Sequence, residues 1–569
     1  MSGHQRILIL SVFTLSLFGG LLIGAEPAAN RRAATQTSAK EVSTDGVSAR
    51  VGKLQQRVDQ LESENRLHRQ SRSPAPRTLS AIQVANSEMV PVPDIQLGAI
   101  GSIPVPPSSD FHSEMSCTET GQKPGEGDWK THWNHGIEWI SPDKAFKVHI
   151  GGRTQFDSVL VGPNDGALTG AGGIDGKSHD QDFLGFRRAR LRADGTIYEM
   201  IDYAAEFDFA NSVSRDDQPP KAAIPPFAKN NTENNTINVT APTDLWFIFK
   251  EVIFGANLKV GNLKEPIGFE HNTSSRWLNF MERSFLQDLY AGPFNNGFSQ
   301  GAMIYNTWDE ENGTWWLGAF KNNSNVFGYN VGNDEYAATG RVTYTPLYCH
   351  ECERIVHFGF AGSVRDPDQG QQRFRARSLR NGTPNQATVY GDTGLFTTKM
   401  QYLASAEFVV VDGPLSFESE WIGSWDRDCF SIEDKTKGFK APSPVTSLGN
   451  DFTNAYYVEM LYFLTGESRE YERKNGAFGR VIPHQNFSWK NCCNDPGAWQ
   501  VGFRYGVADL NDGLVKGGYL QEYTLGVNWF LNPNMKIQWN YAALQRDSQL
   551  DKVNEGVIHQ FGMRLAHDF

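Results

Sequence analysis

The closing stretch VIHQFGMRLAHDF, residues 557–569, alternates apolar and polar side chains almost residue by residue. Phe561, Met563, Leu565 and Phe569 share one parity, and Gln560, Arg564 and Asp568 share the other. Successive side chains of a β-strand point to opposite faces, so as a strand this stretch is greasy on one side and polar on the other. Two settings suit such a strand: a half-buried place in a soluble sheet, or the wall of a barrel whose outer face meets lipid.

The chain has 569 residues, too many for one ordinary soluble domain but enough for a large barrel with appendages. Aromatics make up 12% and glycines number 55, yet no long apolar run follows the N-terminus. A mean hydropathy of -0.46 excludes a helical membrane bundle. It leaves open a transmembrane barrel, in which only alternate residues face lipid. The formal net charge of -12 argues against nucleic-acid binding through a broad basic surface.

At the N-terminus Arg6 precedes an apolar stretch, Ile7 to Gly24, ending at Ala25 before Glu26 and Pro27. A charged start, an apolar centre and a small-residue exit read as a signal peptide over 1–25. An uncleaved anchor is the other reading, because the stretch is near spanning length. Gly19, Gly20 and the small-residue exit favour cleavage, and the absence of a following Cys argues against a lipoprotein. The six cysteines are then disulfide candidates. Cys349 and Cys352 form a CxxC outside any βαβ pattern, which reads as a loop staple rather than a redox or metal pair.

Beyond the signal, Val51, Leu54, Val58 and Leu61 fall at a/d spacing and Asn65 takes the next a position. This predicts a short coiled coil over 47–69 and self-association; a single solvated amphipathic helix is the alternative. Residues 71–130, broken by Pro91, Pro93, Pro104, Pro106 and Pro107, read as a linker.

From residue 145 the pattern becomes sixteen alternating stretches. They run 145–161, 183–197, 201–213, 242–252, 256–264, 298–307, 315–322, 337–346, 354–365, 396–411, 415–427, 453–465, 498–508, 519–531, 535–547 and 557–569. Links after strands 1, 3, 5, 7, 9 and 11 are long, and those after 2, 4, 10 and 14 are tight. An outer-membrane barrel sorts its connections this way, with short periplasmic turns and longer outer loops, whereas a soluble sandwich has no reason to. A terminal strand ending on Phe resembles the last strand of such barrels. The even count places both ends, and the coiled coil, in the periplasm. One link departs from the rule: residues 466–497 are long at the end that should carry short turns, so either they fold back into the barrel or the count fails there. Aromatics add support, with Trp499, Phe503 and Tyr505, then Tyr523 and Trp529, then Trp539 and Tyr541 each sharing the lipid parity of one strand. The prediction is an all-β, sixteen-stranded antiparallel transmembrane barrel over 145–569.

Within FLGFRRARLRADGTIYEMIDYAAEFDFAN (183–211), Leu191, Ala193 and Ile197 set the outward parity, so Arg188, Arg190, Arg192 and Asp194 point inward. Guanidinium groups on alternate strand positions form a column with steps of roughly 6.6 Å. Each keeps its charge and matches phosphate oxygens bidentately, so a column would pass an anion from site to site. The tight turn at 198–200 also sets Arg192 opposite Glu206 and Arg190 opposite Asp208, an ordinary cross-strand pairing that would neutralise them. Arg188 faces Ala210 in that register and is the least neutralised. The long link after strand 5 carries Lys264, Glu265, Arg276, Glu282 and Arg283 among Trp277, Phe280, Met281, Phe285 and Leu286. An outer loop this apolar has to pack against something. Folding into the lumen would make it a constriction; a lid or a subunit contact are the alternatives.

Four segments, FRRARLRADGTIY (186–198), VGNLKEPIGFE (260–270), SSRWLNFMERS (274–284) and LTGESREYERKNGAFGRVIP (464–483) followed by GAWQVGFRYG, resemble the phosphate-selective porin O and P family. The resemblance spans about 145–569. It implies a homotrimer in the outer membrane, an inward loop after strand 5, an arginine ladder and basic residues at a constriction. By motif the ladder candidates are Arg188, Arg190 and Arg192, and Lys264, Arg276 and Arg283 lie in the constriction-loop motif. Lys147, Arg153, Arg341 and Arg504 share inward parity and extend the basic path, as does Arg564. Loss of 1–25 removes one Arg and no acid, moving the charge from -12 to about -13, and Glu418 and Glu420 also face inward.

The resulting expectation is passive diffusion of anions, phosphate or polyphosphate, through a locally basic constriction. It involves no catalytic residue, cofactor, metal or nucleic acid. A general or sugar porin and an envelope-tethering barrel are the alternatives. No Ser/His/carboxylate set recurs at a recognisable spacing, which weighs against an enzyme.

Overall fold

The computed structural model describes residues 127–162, 182–210, 212–214, 236–238, 240–291, 297–322, 335–367, 370–379, 389–431, 446–490, 495–547 and 555–569. The signal peptide, the coiled coil, nearly all of the linker, Cys117, Cys492 and Cys493 lie outside the described residues.

Sixteen antiparallel strands form the wall. They are β1 (Phe146–Val161), β2 (Phe183–Ile197), β3 (Ile201–Asp208), β4 (Ala241–Ile253), β5 (Ala256–Lys264), β6 (Phe298–Trp308), β7 (Gly313–Lys321) and β8 (Tyr336–Cys349). Next come β9 (Arg354–Arg365), β10 (Met400–Asp412), β11 (Leu415–Ser431), β12 (Ser447–Phe463), β13 (Ala498–Asp512), β14 (Val515–Asn532), β15 (Met535–Asp547) and β16 (Gly556–Asp568). Each pairs with its sequence neighbour, and β16 closes the ring on β1 through Phe561↔Leu160 to Asp568↔Arg153. No edge strand is left in the wall, which is how a sheet satisfies its backbone polar groups in lipid.

The closing seam takes up only Arg153 to Val161 of β1. Phe569 exchanges backbone hydrogen bonds with Gly152, at 3.1 Å and 2.6 Å. A Cβ on Gly151 would sit 2.4 Å from the Phe569 carbonyl oxygen, so only glycine admits the terminus. Below that point β1 pairs instead with a short hairpin absent from the sixteen expected strands, Lys130–Trp133 and Ile137–Ile140, through Ile137↔Ile150 to Ile140↔Lys147. Its Glu138 forms an ion pair with Lys147.

The tight turns expected after strands 2, 4, 10 and 14 lie at residues 198–200, 254–255, 413–414 and 533–534, at the end the outer-membrane pattern assigns to the periplasm. Outer connections are long except Gly513–Leu514, where β13 and β14 extend and meet in a two-residue turn. The outward face is apolar, with Leu184, Phe186, Phe247, Leu317, Phe360 and Leu525 all exposed. Trp499 stacks on Trp529 at 4.9 Å and on Trp539 at 6.4 Å, forming part of an aromatic belt near the turn end.

The lumen is filled by three inward segments. The loop after β5 contains a short helix, Phe269–Asn272, and buries Ile267, Phe280, Met281, Phe285, Leu286 and Tyr290 against the inner wall. Part of the outer link after β9 enters with Phe374, Leu379 and Tyr390. The third is the anomalous link after β12, and it folds back from the turn end: Phe478 N donates to Thr273 Oγ1 at 3.3 Å, and Arg341 Nη2 donates to the Gly476 carbonyl at 2.8 Å. The sixteen-strand count therefore stands. Cys349 and Cys352 form a disulfide in the turn between β8 and β9, and Cys429 is a buried free thiol.

Candidate functional site

The inward loop meets the wall through ion pairs as well as apolar contacts. A bulge separates Gln155↔Arg188 from Phe156↔Phe186, so Arg187 is the extra residue on β2 and points inward beside Arg188. Strict alternation would have put it in lipid; the adjacent Arg-Arg pair on a strand was the signal for a bulge. Arg187 binds Glu282 of the loop at 2.9 Å and 3.2 Å. Arg564 of β16 grips Asp157 with two 2.7 Å contacts and Glu282 at 2.6 Å, and it also donates to the Met281 carbonyl. Arg188 donates to Gln155 at 2.7 Å and stands 3.8 Å from Glu282. Burial pushes the Glu282 carboxyl upward, but Arg187, Arg188 and Arg564 outweigh it and hold the group at about 2.

The register expected for the column is observed, with Arg190↔Asp208 and Arg192↔Glu206 as neighbours. The ion pairs follow only half of it. Arg190 binds Asp208 at 2.7 Å and also Glu206 at 3.0 Å. Arg192 leaves Glu206 and binds Asp194 at 2.8 Å and Asp244 at 3.1 Å. All three column arginines thus meet carboxylates, and Arg188 has the longest contact, in keeping with its position in the register.

Glu206 sits at the centre of a second cluster. Its Oε1 accepts from Arg153 at 2.7 Å, from Arg190 at 3.0 Å and from Thr243 at 2.8 Å. Arg276 of the loop lies 3.7 Å from Oε2 and 3.8 Å from Asp568. Arg153 also donates to Ser275 at 2.7 Å, so wall and loop share one network. Lys264 and Arg283 bind loop carbonyls: Lys264 donates to His271 O at 2.6 Å, and Arg283 donates to Glu270 O at 2.8 Å and Thr273 O at 2.7 Å. Arg341 pairs with Glu407 at 2.6 Å and Arg504 with Glu270 at 3.4 Å.

The fold-back segment adds basic residues that inward parity alone did not single out. Arg469 donates to the Trp277 carbonyl at 2.9 Å and lies over the Phe478 ring at 4.4 Å. Arg480 lies over the Trp277 ring at 4.3 Å and pairs with Asp568. On the wall beside it, Lys536 of β15 donates to the Leu278 carbonyl at 2.9 Å. A cleft at the turn end is lined by Arg153, Arg276 and Lys536, with Asp568 as its acidic member.

A closed sixteen-stranded barrel with a lipid-facing apolar belt and a charged lumen narrowed by an inward loop defines an outer-membrane porin. The family model described as "Phosphate-selective porin O and P" matches residues 167–569, and the chain belongs to that family. Porin O of Pseudomonas aeruginosa is 25% identical over 451 residues, covering 76% of this chain and 91% of the relative. An uncharacterized protein of Caulobacter vibrioides is 22% identical over 480 residues, 82% of each chain. Among solved structures, the outer membrane channel DcaP of Acinetobacter baumannii superposes with a TM-score of 0.42 at 12% identity, covering 76% of this chain and 99% of that one. The protein resides in the bacterial outer membrane.

Proposed function

We propose that this porin passes small anions, phosphate or polyphosphate, down their gradient, and that Arg153, Arg276, Lys264 and Arg283 with the column Arg188, Arg190 and Arg192 set that preference. The supporting observation is the basic cluster at Glu206, where three guanidinium groups lie within 4 Å of one buried carboxylate. Lys264 and Arg283 add two cations that hydrogen-bond to carbonyl oxygens. An anion entering from the cleft at Arg153 and Arg276 finds donors already arranged and gives up little orientation entropy. The solute crosses by diffusion without a chemical step. A homotrimer with the N-terminal region in the periplasm belongs to the same proposal.

Planar-bilayer recording of the purified protein under a KCl gradient tests it. The expected result is an anion-selective reversal potential and a chloride current reduced by added phosphate. Cation selectivity, or a chloride current indifferent to phosphate, overturns the proposal. The carboxylate partners of Arg190 and Arg192 favour a second reading, a pore for neutral solutes. Liposome swelling with saccharides, set against phosphate uptake, separates the two.

A further inference from the structure

Away from the basic cluster, Asp426 of β11 and Asp451 of β12 are direct cross-strand partners facing the lumen. They are 0% and 3% exposed. Asp426 Oδ2 accepts from Ser424 at 2.8 Å, while Asp426 Oδ1 and both oxygens of Asp451 have no hydrogen-bond partner. The charged neighbours of this pair are acidic, with Asp512 beside Asp451. Two buried carboxylates left in this state repel each other and lack any compensation for lost hydration.

Two further oxygens converge on the same spot. Thr453, the next inward residue on β12, is fully buried. Tyr290, at the far end of the inward loop, is 1% exposed, and its hydroxyl faces that of Thr453 and is turned toward Asp426 and Asp451. Three carboxylate oxygens thus stand without partners, Asp426 Oδ1 and Asp451 Oδ1 and Oδ2, beside the facing hydroxyls of Thr453 and Tyr290. All are hard donors and two of the groups are anionic, the ligand set of calcium or magnesium rather than of a thiophilic or imidazole-seeking metal. Calcium accepts irregular oxygen geometry completed by water, which suits ligands drawn from two strands and a loop.

We propose that Asp426, Asp451, Thr453 and Tyr290 form a binding site for a hard divalent cation, calcium before magnesium. The ion removes the repulsion between the aspartates and ties the far end of the inward loop to the β11–β12 wall. Its sign is opposite to that of the solute proposed above, and the site stands whether or not the pore selects anions.

The test is calorimetric titration of the full purified chain, stripped with chelator, with calcium chloride and separately with magnesium chloride. Thermal unfolding is followed in chelator and in saturating calcium. The expected result is saturable calcium binding that Asp426→Asn and Asp451→Asn each weaken by about tenfold or more. In chelator Asp451→Asn should unfold above the wild type, because it removes an uncompensated charge, and in calcium the order should reverse. Thr453→Val, the mildest change in shape, should weaken binding without altering stability in chelator. Absence of saturable binding of either ion, or an affinity unchanged in both asparagine variants, overturns the proposal.

Discussion

Arg153 Nη2 lies 2.7 Å from Glu206 Oε1, and Arg190 uses the same oxygen at 3.0 Å. Arg190 and Arg276 also reach Asp208 and Asp568, and Glu206 is the one carboxylate that all three guanidinium groups share. Glu206→Gln should therefore shift the reversal potential further toward anions. It should also lower unfolding stability by about 3–5 kcal/mol, since buried cations lose their partner. Bilayer recording and urea unfolding check the two effects; a shift toward cation selectivity would eliminate the basic constriction.

Glu282 is the second anchor, and its pH dependence has a definite sign. Its folded value of about 2 lies below its ordinary 4.5, so the stability it contributes is fully present above the ordinary value and is lost as pH falls toward 2. That difference corresponds to roughly 3 kcal/mol holding the loop to Arg187, Arg188 and Arg564. Single-channel conductance should be constant from pH 7 to 5 and become noisier as the pH is lowered below 4. Glu282→Gln should show the noisy behaviour already at pH 7. Equal traces for variant and wild type at pH 7 would mean that the apolar contacts alone hold the loop.

The strands were legible because lipid enforces alternation on one face, and several boundaries, such as 256–264 and 354–365, coincide with the observed strands. The β2–β3 register was legible because the turn at 198–200 is tight enough to set it. Arg187 was not legible by parity, because a single extra residue in β2 reverses its face and alternation carries no sign of where a bulge falls. Nor was the partner of Arg192, since Asp244 comes from β4 across a long outer link whose length says nothing about register. The link 466–497 was legible as a length that did not fit and in the family likeness of 464–483, but its contacts depend on where the β5 loop settles.

Phe478 joins two inward segments: its ring lies 5.0 Å from Phe269 of the loop and beneath the Arg469 guanidinium. Phe478→Ala should cost about 3–5 kcal/mol by leaving a cavity at a fully buried site. It should raise single-channel conductance by loosening the fold-back segment. A stability loss with unchanged conductance would place the segment outside the conducting path.

The terminal strand allows one residue type to be tested on both faces. Arg564 faces the lumen, is almost wholly buried and binds Asp157 and Glu282. Met563, one position earlier, is turned outward and exposed on the lipid face. Met563→Arg should destabilise the barrel by about 2–4 kcal/mol, the cost of a cation near the bilayer midplane. Arg564→Met should be destabilising too, but through two buried carboxylates left without their cation, so its cost should shrink when Asp157→Asn and Glu282→Gln are added. The cost of Met563→Arg should be unaffected by those additions. Unfolding in lipid vesicles, measured for the single and combined variants, separates the two mechanisms, and a Met563→Arg protein as stable as the wild type would contradict the placement of that face in lipid.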